Sequence, residues 1–298
     1  MRASIRKFTL LGICLGSVLL FASYIAINSY LLDRAFNGFE FAALMTDVLR
    51  ATNAVHEEVQ KLDGVIVDWA VWDDSAMFMQ GKTKDYITSN LNERTLDTLD
   101  LYFIVYIDNR DNIVWSSTKT DDDKYASGLP QDIKNVVFKE TRMLTDSTIN
   151  DRIHGIAILD KGLAILASCP IHSSDGEGPK KGMLVMGKLF TPKTMQSLSD
   201  NIQIPFQIEP VAMPLPHRIA NAGNEVVQTK SREVATIFDI GENETAAVTL
   251  LSDLTNRKQL RLIVYGNKDI VHTGVAVSKP AAVDLAAALE LPQALVLL

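Results

Sequence analysis

The sequence has few cysteines and little positive charge. Its two cysteines are Cys14, inside an apolar run near the N-terminus, and Cys169, deep in the rest of the chain, so an intrachain disulfide framework is excluded. Lysine and arginine together number 29 against 36 acidic residues, and the net charge is −7. Because no dense basic face is available to hold a polyphosphate, we expect no nucleic-acid partner.

Recognised catalytic and metal-binding motifs are also missing. The sequence contains no nucleophile elbow, no metal-protease helix motif and no dinucleotide fingerprint. The acidic run 121–123 lacks the spaced oxygen ligands and the glycine turn of a calcium loop, which favours a solvated loop. The histidines are dispersed without zinc-type spacing, at His56, His154, His172, His217 and His272. We therefore predict no catalytic residue, no cofactor and no metal site.

A long apolar run is present instead, from Phe8 to Ile27, without a single charge. A helix of this length covers the ~30 Å hydrocarbon layer of a bilayer. Three basic residues and no acidic residue precede the run, which predicts a cytoplasmic N-terminus and export of everything after about residue 30. A cleaved signal peptide is the alternative, but Tyr24 stands where cleavage near Ala26 needs a small residue, which favours a membrane anchor.

After the apolar run, a helical stripe indicates that the helix continues over residues 31–66 as a membrane-proximal segment. Apolar residues recur at spacings of three and four, at Val48, Ala51, Val55, Val59, Leu62, Ile66 and Trp69. Such a stripe has two uses. It packs on the domain's own sheet, which we expect for its C-terminal half, or it pairs with a second copy as a parallel coiled-coil homodimer.

The rest of the chain predicts an α+β fold. A polar helix is expected over Lys82–Leu99, and a helix starts at Thr191–Pro192, where threonine caps and proline suits the first helical position. Strand-like segments rich in β-branched and aromatic residues are bounded by turn formers, at Leu101–Ile107, Ile113–Ser117, Ile153–Leu159, Leu163–Ile171, Met183–Leu189, Val248–Leu254 and Leu260–Tyr265. Together they predict an antiparallel sheet with flanking helices.

Three stretches carry a family resemblance: DWAVWDD at residues 68–74, LDLYFIVYIDNRDNIVWSS at residues 99–117, and ILASCPIHSSDGEGPKKGMLVMGKLF at residues 165–190. In this order they resemble the fourth type of CHASE domain, an extracytoplasmic sensor of bacterial diguanylate cyclases, phosphodiesterases and histidine kinases, including cyclic di-GMP signalling proteins. The predicted long helix and antiparallel sheet are of the kind seen in Cache and PAS-like sensors. The resemblance implies perception of an external small molecule. It also implies a second membrane helix that leads to a cytoplasmic output domain.

The last residues depart from that family pattern. Lys279, Asp284 and Glu290 lie in the segment where a second span is expected, and each central charge costs about 2.5–3.5 kcal/mol on the insertion scale. We therefore divide the chain into a transmembrane part at 1–30, a long helix at 31–66, a sensor domain at 67–272 and an atypical tail at 273–298. We expect a sensor anchored in the bacterial inner membrane. Either it is a truncated or standalone sensor, or it hands its signal to a separate cytoplasmic output protein.

Six side chains are candidates for the binding site of an unknown small molecule. Two indole rings three residues apart on one helix, those of Trp69 and Trp72, can form one wall of a pocket beside a carboxylate. The predicted hairpin adds further aromatic rings. The candidates are Trp69, Trp72, Asp73, Tyr102, Tyr106 and Trp115. In the alternative interpretation the rings are core anchors, and Asp73 caps the next segment or bonds to backbone amides. A second functional hypothesis is a membrane-tethered domain that binds a separate kinase or cyclase and has no small-molecule pocket.

Overall fold

The computed structural model describes residues 2–141, 151–228, 234–241, 243–257 and 259–267. The predicted tail at 273–298 and the last residues of the predicted sensor domain lie outside the described residues.

One helix, α1 (Arg2–Ala70), dominates the molecule and runs without a break for 69 residues. Its segment Gly12–Leu31 has a mean hydropathy of 1.7, and none of that segment is buried. Within the described residues, this is the one helix long and apolar enough to cross a membrane. The predicted apolar helix and its continuation toward the sensor domain are therefore confirmed.

The apolar stripe of α1 lies in the core of the chain's own fold. Val48, Ala51, Val55, Val59, Leu62 and Ile66 are all buried there. Removing a valine, leucine or isoleucine side chain from water contributes about 1.5–3 kcal/mol, so the stripe anchors α1 firmly. The stripe packs on the domain, as expected for its C-terminal half.

The other elements of the described residues follow in chain order. The helices are α2 (Asp73–Met79), α3 (Tyr86–Asn90), α4 (Glu93–Thr98), α5 (Gln131–Thr141), α6 (Pro192–Ile202) and α7 (His217–Ala220). The strands are β1 (Phe103–Ile107), β2 (Ile113–Lys119), β3 (Tyr125–Ser127), β4 (Ile153–Leu159), β5 (Gly162–Ile171), β6 (Gly182–Leu189), β7 (Phe206–Pro210), β8 (Gly223–Gln228), β9 (Val234–Asp239), β10 (Glu244–Leu251) and β11 (Leu260–Asn267).

These strands form two antiparallel sheets, and α1 packs against both. The first sheet has the order β3-β2-β1-β6-β5-β4, and the second has the order β7-β11-β10-β9-β8. The α+β class with antiparallel strands is confirmed. A single sheet was expected, and the strands around the predicted β10–β11 pair build a second one.

Local turn chemistry explains the elements that were predicted. Between β1 and β2, the Asp108 carboxylate accepts hydrogen bonds from the backbone N–H groups of Arg110 (2.8 Å) and Asn112 (2.9 Å), which closes the hairpin. At the start of α6, the Thr191 hydroxyl accepts from the Thr194 N–H (3.1 Å). The predicted hairpin and the predicted threonine cap are both confirmed.

The prediction of one helix over Lys82–Leu99 is wrong. Two short helices, α3 and α4, occupy this stretch. The reason is Asn92, whose side-chain oxygen accepts from the Thr95 N–H (3.1 Å) and so caps the start of α4. Asparagine side chains compete with the helical backbone for hydrogen bonds and favour helix starts over helix interiors.

A second connection joins the two sheets besides α1. The Leu254 N–H, in the loop between β10 and β11, donates to the Ile156 carbonyl of edge strand β4 (2.7 Å). Gly155 makes room for this contact, because a Cβ at this residue would lie 3.1 Å from the Leu254 Cα. The hairpin of the second sheet therefore rests on the edge of the first.

Candidate functional site

The site is built around the point where α1 ends. The helix stops at Ala70 because the chain there meets strand β5: the His172 N–H donates to the Ala70 carbonyl (3.1 Å), and Val71 forms an isolated parallel bridge with His172. Trp72 is extended and precedes α2. Trp69 and Trp72 therefore lie on either side of a helix break, which corrects the prediction that one helix carries both.

Six aromatic rings gather at this break, and we call them the aromatic cluster: Trp69, Trp72, Phe78, Tyr86, Tyr106 and Trp115. The Trp69 and Trp72 rings meet edge to face, with 6.0 Å between their centroids. Trp72 lies 5.9 Å from Tyr86, which stacks on Phe78 at 4.7 Å. Trp115 closes the series at 6.3 Å from Tyr106. The rings thus form one continuous set across α1, α2, α3, β1 and β2.

A chain of hydroxyl groups lies inside the aromatic cluster. The Ser75 Oγ donates to the Trp69 carbonyl (2.6 Å) and lies 2.6 Å from the Tyr86 hydroxyl, which lies 2.9 Å from the Tyr106 hydroxyl. Since Ser75 uses its single proton on Trp69, it must accept from Tyr86, which in turn accepts from Tyr106. Burial raises the pKa of Tyr86 and, more strongly, that of Tyr106, so both phenols stay protonated. These hydrogen-bonded hydroxyl groups connect β1 to the last turn of α1.

This direction of donation makes two conservative substitutions unequal. Tyr86→Phe leaves the buried Tyr106 hydroxyl without its partner and should lower the free energy of unfolding by about 1–3 kcal/mol. Tyr106→Phe removes a donor whose acceptor, Tyr86, keeps its bond to Ser75, so we expect about 1 kcal/mol or less. Urea unfolding of both variants measures the difference, and equal losses would contradict the assigned direction.

Asp73 stands beside the aromatic cluster and is exposed. Its Oδ1 accepts from the Ser174 N–H (3.0 Å), and the Ser174 Oγ accepts from the Asp73 N–H (3.0 Å). This reciprocal pair fixes the loop after β5 against the start of α2. The bond to a backbone amide is the one that the alternative interpretation of Asp73 anticipated.

Tyr102 is the predicted residue that the structure places elsewhere. It precedes β1 and belongs to a different set of core residues, together with Phe103 and Val105. The Lys161 Nζ lies 5.7 Å from its ring centroid, and Tyr102 lines a separate cleft of about 690 Å³. The structure therefore brings the other five predicted residues together and leaves Tyr102 apart.

Ser75, Phe78 and Tyr86 were missed by the sequence reasoning. Phe78 and Tyr86 stand in or near a stretch that was predicted as polar, where isolated rings carry no periodic signal. The signal that could have found them is proximity in sequence, because all three follow DWAVWDD within twelve residues.

Comparison with known proteins decides the family. The CHASE4 domain family matches residues 54–209. The chain belongs to the CHASE4 domain family. The match includes the end of α1, the whole aromatic cluster and the first sheet, so the resemblance inferred from the three sequence stretches is confirmed. The chain carries a sensor domain of the signal-transduction type, a class that is not itself catalytic.

Individual relatives are distant. The methanogenesis regulatory histidine kinase FilI of Methanothrix harundinacea (strain 6Ac) is 28% identical over 134 residues, which are 45% of this chain and 15% of that protein. This CHASE4 chain thus matches a small part of its relative's length.

Among solved structures, the extracellular domain of vpHK1S-Z8, assigned as a histidine kinase, has a TM-score of 0.49 at 10% identity and covers 80% of this chain and 95% of that one. A sensory box/GGDEF family domain from Vibrio parahaemolyticus has a TM-score of 0.47 at 11% identity, with 80% and 99% covered.

Proposed function

We propose that this CHASE4 chain is a single-pass sensor of the bacterial inner membrane with its N-terminus in the cytoplasm. Its domain, predicted over 67–272, lies outside the cytoplasm and binds a small organic molecule at the aromatic cluster. One observation carries the proposal: α1 runs unbroken from the apolar segment Gly12–Leu31 to Trp69 in the aromatic cluster. One continuous helix thus connects the candidate site with the candidate membrane span.

The ligand would act on the end of this helix. The hydroxyl chain and the paired indoles hold the last turn of α1 against β1, so a molecule that separates the rings changes what α1 packs on. A ligand shifts such an equilibrium only by its difference in affinity between two arrangements, typically about 1–3 kcal/mol. That amount is sufficient for a response of about five- to 150-fold.

The side chains favour a flat or cationic organic ligand. Trp69, Trp72 and Trp115 are only half buried, so parts of their ring surfaces remain available. Asp73 and Asp74 directly follow Trp72, at the start of α2. Indole faces bind aromatic rings by stacking and cations through the ring quadrupole, and a nearby carboxylate adds attraction for a cation.

The proposed sensor passes its signal to a cytoplasmic output module. The relative FilI is a histidine kinase, which supports a kinase as the recipient. A diguanylate cyclase is the other output that the resemblance implies, and cyclic di-GMP would then be the product of the signalling step.

The test uses a convenient property of the chain: all three tryptophans lie in the aromatic cluster. The full chain in lipid nanodiscs is screened against metabolites by thermal shift, and hits are titrated by tryptophan fluorescence. We expect a saturable change in fluorescence, and we expect Trp72→Ala to weaken binding by about tenfold, the loss of about 1.4 kcal/mol of ring contact. Tyr102→Phe, outside the aromatic cluster, is the matched control and should bind normally.

One feature favours the second candidate function, a domain that binds another protein. The Tyr106 ring is completely buried, and the rings already pack on one another. If no metabolite stabilises the chain and membrane pull-downs capture a specific kinase or cyclase, the small-molecule proposal is wrong and the interaction role replaces it.

A further inference from the structure

Two histidines that are far apart in the sequence converge on one atom. His56 lies on α1 and His154 on the edge strand β4. The His56 Nε2 lies 3.4 Å from the Gln60 amide nitrogen, and the His154 Nε2 lies 3.1 Å from the same nitrogen. An amide NH₂ group carries two protons, so Gln60 can donate one to each imidazole. Both Nε2 atoms then present lone pairs to the same point in space.

A buried carboxylate stands behind His154. The Asp63 Oδ1 lies 3.1 Å from the His154 Nδ1, although this contact misses the alignment of a regular hydrogen bond. Asp63 is on the same face of α1 as His56 and Gln60, because the three residues follow at steps of four and three. A carboxylate that faces Nδ1 favours the tautomer whose Nε2 is free to bind a metal, as in the carboxylate–histidine–metal arrangements of known sites.

The positive charge of Arg152 is already paired with the Asp63 carboxylate. The Arg152 Nη2 lies 3.2 Å from the Asp63 Oδ2, so the guanidinium faces the carboxylate oxygen that His154 does not use. His56 and Gln60 are exposed, and His154 is 30% exposed, so an ion can reach the converging nitrogens from solvent.

We propose that His56 and His154 bind one transition-metal ion of the Zn²⁺ class, with the Gln60 amide oxygen and water completing the coordination. The ion replaces the Gln60 NH₂ group between the two imidazoles, and the amide rotates to present its oxygen. Zn–N bonds are about 2.0–2.1 Å long, so each ring closes in by about 1 Å, which the exposed His56 side chain permits. Imidazole nitrogens suit Zn²⁺, Ni²⁺ and Cu²⁺ better than Mg²⁺ or Ca²⁺.

No group of three or more His, Cys, Asp or Glu side chains suited to a metal gathers in the part of the chain that the structure describes. The proposed site is consistent with this, because it needs two histidines, one amide and water. Its effect is mechanical: the ion joins α1 to β4, beside the Asp63–Arg152 contact. The proposal does not depend on ligand binding at the aromatic cluster, so each can fail alone.

The test is isothermal titration calorimetry of the full chain in nanodiscs with ZnCl₂, NiCl₂ and MgCl₂, on protein purified without a histidine tag. We expect one Zn²⁺ per chain, competition by Ni²⁺ and no response to Mg²⁺. His56→Ala and His154→Ala should each weaken Zn²⁺ binding by about 100-fold or more, since losing even a supporting outer group costs about 10- to 100-fold. Gln60→Glu should bind Zn²⁺ more tightly than the natural chain.

His217→Ala, which removes an exposed histidine on α7, is the matched control and should bind normally. A second measurement separates binding from folding: Zn²⁺ should raise the melting temperature of the natural chain and of His217→Ala, but not that of His56→Ala. Absence of Zn²⁺ binding in the natural chain, or binding that survives the double change of His56 and His154 to alanine, overturns the proposal.

Discussion

Replacement of Gly182 by alanine should lower the free energy of unfolding by about 3–5 kcal/mol. A Cβ at this residue would lie 2.4 Å from the Ile107 carbonyl oxygen and 2.6 Å from the Met79 Cε. The methionine can move, but the carbonyl cannot, because Ile107 is paired with Met183 in the ladder between β1 and β6. Forced overpacking costs about 1–3 kcal/mol, and the φ of +156° at Gly182 adds strain of about 1–3 kcal/mol for a residue with a Cβ.

Two other glycines separate these causes. Gly178 has a φ of +80° and open space around it, so Gly178→Ala tests backbone strain alone and should cost about 1 kcal/mol. Gly64 lies within α1 with open space, so Gly64→Ala should raise stability by about 0.4–1 kcal/mol. Urea unfolding followed by circular dichroism measures all three. If Gly182→Ala is no more harmful than Gly178→Ala, the close approach of Ile107 does not exist.

Replacement of Asp63 by alanine should lower the free energy of unfolding by about 2–4 kcal/mol in buffer with a chelator. The Asp63 side chain is only 7% exposed, and it faces Arg152 and His154. Removing one member of a buried ion pair costs about 3–5 kcal/mol, because the remaining charge stays buried without a partner. Arg152 is 29% exposed and reaches some water, which reduces the expected loss.

Asp63→Asn is the matched variant, since it keeps the volume and one oxygen but removes the charge; we expect a loss of about 1–2 kcal/mol. In a double-mutant cycle with Arg152→Ala, the coupling energy should be at least about 1 kcal/mol. Purely additive losses would show that the two side chains do not interact, despite the 3.2 Å between their atoms.

The helical stripe and the turns could be predicted because their signals are local. Val48 to Ile66 repeat at helical spacing, and this repeat alone indicates a buried face. Asp108 predicts a turn and Thr191 predicts a helix start, because each side chain accepts hydrogen bonds from residues only two to four positions away. In each case the side chain and its partner belong to the same short segment, so one sequence contains the whole argument.

The second sheet and part of the site were beyond this kind of argument. Strand β7 has five residues, ends in a proline and pairs with β11, whose residues come 50 to 58 positions later in the sequence. The hydroxyl contact of Tyr86 with Tyr106 forms because the fold brings β1 next to α3. The convergence of His56 and His154 likewise depends on how β4 lies against α1, and no spacing rule connects those residues. Each of these contacts joins residues that are far apart in the sequence, so it depends on the whole fold and not on a local pattern.

The contact between Leu254 and Ile156 has a consequence for assembly. An exposed edge strand has unpaired backbone groups that can pair with a strand of another chain, which leads to aggregation. Here the edge strand β4 is partly covered by the loop after β10, and the opposite edge strand, β3, is only three residues long. Growth of the first sheet by strand addition is therefore disfavoured at both ends, so self-association of this protein through its first sheet would have to use side-chain faces and not backbone pairing.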